Sequence, residues 1–152
     1  MSDRDQSSIP PAALWLGLAG AIPFWFAAFA FTTGRYVTPG QALSIAITYG
    51  AIILSFLGGI RWGTALTPID EGRRAREFGL SVLPSLAGFA AFLTRPHLGV
   101  SLLIAGFLLQ AFWDVTSVDL GRLPRWFGRL RVILTGLVCV PLMGILAGLL
   151  LR

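Results

Sequence analysis

The chain has 152 residues, 55% hydrophobic and only 12% charged, against about 25% charged in an ordinary soluble domain. That composition excludes a soluble globule, and because the apolar runs are continuous rather than alternating it disfavours a β-barrel. The net charge of +5 rests on twelve basic residues, all of them arginine. Apart from Arg61 and the terminal Arg4 and Arg152 they fall in the short connections between apolar runs, where membrane topology already requires them, so no nucleic-acid partner is expected.

With a mean hydropathy of +0.77 and apolar runs of about twenty residues, enough to cross a ~30 Å hydrocarbon layer at ~1.5 Å per residue, the chain reads as a polytopic membrane protein. Residues 1–11 form a polar tail. The first apolar run, 12–31, is expected to remain in the mature protein. Its leader "MSDRDQSS" lacks the positive charge of a signal peptide, and Pro23 interrupts the run. Glycines and Pro39 mark a turn, after which 41–66 forms the second span. There small residues recur every fourth position, Ala51, Ser55, Gly59 and Gly63, and make one smooth helix stripe against which another helix or a second copy can pack.

The segment "TPIDEGRRAREF" is the most charged in the chain and is expected to be a solvated loop, with room for a helical turn, leading into a third span, 78–93. A tight link, "TRPH", leads to the fourth, 98–116. Between it and the last span, 132–150, lies "VDLGRLPRWFGRLR". Its Arg122, Arg125 and Arg129 follow helical spacing on one side, and an amphipathic turn in the anionic headgroup layer is expected there. The fold expected is therefore all-α, a single bundle of five transmembrane helices over 12–152. Most arginines gather on one side, with only Arg35, Arg95 and Arg152 on the other. The amino terminus is expected in the cytoplasm and the carboxyl terminus outside.

Two intramembrane charges stand out. Arg61 and Asp114 fall at similar depths on two spans running in the same direction, and Gln110 stacks on the Asp114 face four residues away. A bare charge in hydrocarbon costs ~2.5 to 3.5 kcal/mol on insertion scales. A salt bridge between Arg61 and Asp114 is one expected outcome; the other is that Arg61 snorkels to phosphates while Asp114 reaches water. With Trp62 and Trp113 beside them, Arg61, Trp62, Gln110, Trp113 and Asp114 form the candidate pocket, suited to a flat lipophilic molecule. No catalytic constellation is found. His97 is the only histidine and lies in a loop on the side away from the acids, so neither a metal cluster nor a hydrolase triad is expected, and no cofactor. Cys139 reads as a small buried hydrophobe.

Four segments carry a resemblance to a known family: "LGLAGAIPFW" from Leu16, "YGAIILSFLGGIRWG" from Tyr49, "LPSLAGFAAFL" from Leu83, and the region from "FWDV" at Phe112 to "LPRWFGRLR". In these the chain resembles the family called domain of unknown function 3429, whose eukaryotic member is transmembrane protein 69. The resemblance implies a small multi-span protein of the bacterial inner membrane, similar to a mitochondrial membrane protein, with no activity or site residues to carry over. The sequence thus favours a non-enzymatic accessory component of a membrane complex, packing through its small-residue stripe. A membrane-embedded binder or carrier of a quinone, porphyrin or lipid is the alternative. A small transporter ranks behind both.

Overall fold

The computed structural model describes residues 8–67 and 70–151, so most of the polar tail lies outside the described residues. The helices are α1 Pro11–Thr33, α2 Pro39–Ala65, α3 Glu71–Ser81, α4 Leu83–Leu93, α5 Pro96–Asp119 and α6 Arg125–Leu150. The all-α membrane bundle expected from the sequence is the fold. By length and composition α1, α2, α5 and α6 can each cross a membrane. The 23 residues of α1 reach ~34 Å, more than a ~30 Å hydrocarbon layer needs.

Local chemistry sets the ends. Gly34 closes α1 in the left-handed region at φ 66°, donating its N–H to the Ala30 carbonyl, a conformation glycine adopts without strain. Thr38 and Gln41 open α2 with reciprocal side-chain and backbone hydrogen bonds of 3.2 and 3.0 Å, a capping box followed by Pro39 in the first turn. The segment expected to be a charged loop instead forms α3, capped by Asp70, whose carboxylate accepts the Arg73 N–H at 2.9 Å.

The third expected span, 78–93, is divided at Val82 between α3 and α4, each of 11 residues. Pro84 accounts for the division, because it has no N–H to give the Leu80 carbonyl and its ring crowds that oxygen. Both pieces still track α2 in the antiparallel sense. Glu77 meets Arg61, Phe78 meets Trp62, Ser85 meets Ser55 and Gly88 lies against Ala51. Alone, α4 covers only ~16 Å, so α3 and α4 together match the depth of α2.

Contacts fix the remaining directions. Gly50 beside Leu103 and Gly106 beside Leu54 make α5 parallel to α2. Asp114 against Arg131 and Val118 against Gly128 make α6 antiparallel to α5. Gly17 beside Leu134 and Gly148 beside Phe31 make α1 parallel to α6. The core holds Phe24, Leu54, Leu103, Phe107, Leu142 and Ile145, while Trp15, Phe56, Phe89 and Leu109 are exposed. Large apolar side chains on the outside suit a bundle whose surroundings are hydrocarbon.

Two expectations about packing change. The amphipathic turn expected before the last span is the start of one continuous 26-residue helix. Gly128, Arg131, Thr135, Val138, Leu142 and Ile145 are all buried on it, and their alternating spacing of three and four forms a single stripe through the full length. The small-residue stripe on α2 is only half used within the chain: Ala51 and Ser55 face α4, whereas Gly59 and Gly63 are exposed with nothing within 4 Å of a built Cβ. At Gly58 α3 packs close against α2, the Ser81 carbonyl lying where a Cβ would be.

Candidate functional site

Where the carboxyl ends of α2 and α5 meet α3 and the first turns of α6, the bundle collects its buried charges. Asp114, 2% exposed, accepts a hydrogen bond from Arg131 Nε at 2.7 Å on Oδ2 and one from Gln110 Nε2 at 3.4 Å on Oδ1. Gln110 also donates toward the Leu57 carbonyl at 3.5 Å, which ties α5 to α2. Arg61, 5% exposed, donates from Nη1 to Glu77 Oε2 at 3.4 Å, and its Cζ lies 3.2 Å from the centroid of the Trp113 ring. That cation over a ring face is a favourable arrangement, stronger when desolvated.

The expected Arg61–Asp114 ion pair is therefore not the one formed. The two residues do lie at one level, as parallel α2 and α5 require, but each is engaged by an element the sequence reading had placed elsewhere. Arg131 of α6 faces Asp114 directly, and Glu77 of α3 takes Arg61. Of the candidate pocket residues, Arg61, Gln110, Trp113 and Asp114 come together. Trp62 does not: it is half exposed and packs on Phe78, with ring centroids 4.6 Å apart.

Glu77, Arg73, Arg122 and Arg131 are the residues the sequence reading missed. A signal for Arg131 existed in the three-and-four spacing from Gly128 to Ile145, which places it on the buried face. Glu77 follows Arg73 by four on α3, so both share one face. Nothing in the sequence says that this face turns inward.

These groups surround a cavity of about 250 Å³ lined by Arg61, Thr64, Arg73, Glu77, Asp114 and Arg122, among others. A second hollow of about 400 Å³ adjoins it, sharing Arg73, Glu77 and Arg122 and adding Arg76, Trp113 and Thr116. Glu77 serves two arginines, Arg61 at 3.4 Å and Arg122 at 3.9 Å, and Asp114 is already matched by Arg131. The cavity therefore carries surplus positive charge. Arg61 and Arg73 each keep a buried Nε with no hydrogen-bond partner among the described residues. Guanidinium forks of this kind suit carboxylate and phosphate oxygens. Among the described residues no three His, Cys, Asp or Glu side chains are grouped so as to hold a metal ion.

The depth of the cluster matters as much as its charge. From Arg131 to the end of α6 at Leu150 is ~29 Å, one hydrocarbon thickness. The parallel and antiparallel pairings put Trp15, Trp62 and Trp113 close to the same level of the bundle.

Fold and site define a polytopic helical membrane protein with an arginine-lined cavity at the end of the bundle where its helices α2 and α5 finish. The chain belongs to the family described as protein of unknown function (DUF3429), whose model matches residues 9–147. It is 37% identical over 139 residues to transmembrane protein 69 of Xenopus tropicalis, covering 89% of this chain and 53% of that protein. It is 33% identical over 130 residues to transmembrane protein 69 of Mus musculus, covering 83% of this chain and 51% of that one. The chain thus spans about half the length of these curated relatives. No solved structure matches it.

Proposed function

We propose that this protein binds the anionic headgroup of an amphiphile in the cavity of Arg61, Arg73 and Arg122, at the cytoplasmic face of a bacterial inner membrane. The observation that carries the reading is the pair of buried Nε groups on Arg61 and Arg73 that have no hydrogen-bond partner among the described residues, beside the Glu77 carboxylate that Arg61 and Arg122 already share. An unpartnered buried N–H is costly, and a phosphate or carboxylate oxygen would satisfy it. The level of the cavity, beside Trp62 and Trp113, is that of the headgroups. The arginine excess at this end supports the cytoplasmic orientation, and exposed Arg125 and Arg129 would meet anionic headgroups outside the cavity.

The test is enrichment of lipid on the purified protein in nanodiscs of mixed phosphatidylglycerol and phosphatidylcholine, read by native mass spectrometry. The anionic lipid should be retained preferentially, and Arg73→Gln should abolish that preference. Displacement by millimolar inorganic phosphate would assign the cavity to a free anion. Equal retention of both lipids, with Arg73→Gln indistinguishable from the parent, would remove the proposal. A second reading, an accessory component of a membrane complex, draws on the exposed glycines Gly59 and Gly63, which leave the lower half of the α2 stripe open to another helix. Its check is whether Gly59→Leu dissociates a copurifying protein or a homo-oligomer.

A further inference from the structure

On the other side of the Asp114–Arg131 pair lies a second, chemically different space. A cleft of about 380 Å³ opens between α1, α2, α5 and α6, within the range of small-molecule sites. Its walls are almost wholly apolar. Phe24, Phe56, Phe107 and Phe127 contribute four rings, and Gly20 of α1 lines it with no side chain of its own, a Cβ there meeting nothing nearer than the Tyr49 hydroxyl at 3.8 Å. Leu16 and Phe56, both among the exposed apolar residues, form part of its lining and open it toward the hydrocarbon.

Two polar residues, Arg131 and Thr135, interrupt this lining. Arg131 Nη2 and Thr135 Oγ1 are buried, one turn apart on α6, and neither has a hydrogen-bond partner among the described residues. Their residues are 5% and 6% exposed and both line the cleft. Arg131 is held from the far side, its Nε on Asp114 at 2.7 Å, so it reaches the cleft with a fixed geometry and a charge already matched. Thr135, in a helix, has the Arg131 carbonyl within the usual reach of its hydroxyl, and yet makes no such bond.

We infer that this cleft is a binding site for a neutral lipophile carrying a carbonyl on a flat ring, such as an aryl ketone or a quinone, whose oxygen accepts from Arg131 Nη2 and Thr135 Oγ1. A single carbonyl has two lone pairs and can accept both donors. A neutral head is required because the Arg131 charge is balanced by Asp114. An anion would bring an unmatched charge among phenylalanines, which is costly in a low dielectric. This inference goes beyond the headgroup proposal, since cavity, ligand charge and donors all differ.

The experiment uses the full chain in nanodiscs of phosphatidylcholine alone, where no anionic headgroup takes part. An alkyl benzophenone, itself a neutral aryl ketone, is irradiated and its crosslinks are mapped by peptide mass spectrometry. Labelling should concentrate on cleft residues of α1 and α6. A decyl quinone should compete, whereas decylbenzene, which lacks the carbonyl, and laurate, which is charged, should not. Thr135→Val keeps the shape and removes one neutral hydrogen bond, so specific labelling should fall about fivefold, and Gly20→Leu should fill the cleft and abolish it. Should Gly20→Leu fail to fold, Thr135→Val decides. Labelling spread over outward residues such as Phe89 and Leu109, unaltered by Thr135→Val or competed equally by decylbenzene, would overturn the inference.

Discussion

The two ends of this bundle are held by different physics. At the end where α1 and α6 finish, glycines let helices touch: Gly148 against Phe31, and Gly99 against the Ala91 carbonyl. At the opposite end the described contacts include three arginine–carboxylate pairings, two of them made by the buried Arg61 and Arg131, and two cavities beside them. Hydrocarbon is as apolar as leucine, so apolar burial gives helices little reason to associate in it, and close packing must hold them. Charges cannot be packed so closely, because they need partners at particular positions. The consequence is a solid end that sets the fold and a hollow end where chemistry can be placed.

The sharpest way to break the comparison is to remove one member of the innermost pair. Asp114→Ala leaves Arg131 buried with an uncompensated charge, which costs about 3–5 kcal/mol in comparable buried pairs. Replacing both residues, Asp114→Leu with Arg131→Leu, should recover most of that loss. The check is the unfolding free energy in mixed micelles titrated with dodecyl sulfate. A double variant as unstable as Asp114→Ala would mean that the pair acts through more than mutual neutralisation.

The solid end should respond to volume instead. A Cβ on Gly88 would lie 2.9 Å from the Ala51 Cα, a backbone atom that cannot rotate away, whereas the nearest atoms to one on Gly50 all belong to the Leu103 side chain, its Cδ1 at 2.8 Å. Gly88→Ala is expected to cost about 1–3 kcal/mol, the usual penalty of overpacking. Gly50→Ala should cost less, since Leu103 can change rotamer. The same micelle titration separates the two, and equal losses would show that Leu103 is as fixed as backbone.

Much of this was legible before the structure. Composition and run length gave the membrane bundle, and the level of Arg61 with Asp114 followed from two spans running in the same direction. Gln110 and Asp114, four apart on one helix, had to share a face. What the sequence could not supply was the partner of each charge. Glu77 lies in a segment so charged that it read as solvent-exposed, and only the docking of α3 on α2 turns one of its faces inward. Arg131 sits one residue before the apolar run, where hydropathy alone places a snorkelling interfacial arginine. Trp62 misled for the opposite reason, since adjacency to Arg61 puts it about 100° away around the helix, on the Phe78 side.

The smallest effect tests whether the α2 stripe belongs to this chain's own packing. Ser85 Oγ donates to Ser55 Oγ at 3.0 Å across α4 and α2, a side-chain hydrogen bond between the small-residue faces of these helices. Interhelical hydrogen bonds in membranes average about 0.6 kcal/mol, because each partner finds other acceptors when the helices separate. Ser55→Ala should therefore lower stability by about that amount, while Gly59→Ala, four residues further along the same stripe and facing open space, should change it by less than about 0.5 kcal/mol. The sign matters more than the size, because alanine is the better helix former. If Gly59→Ala instead destabilises more than Ser55→Ala, the open half of the stripe is covered in the membrane by a second helix, and the division between a solid end and a hollow end would hold only for the isolated chain.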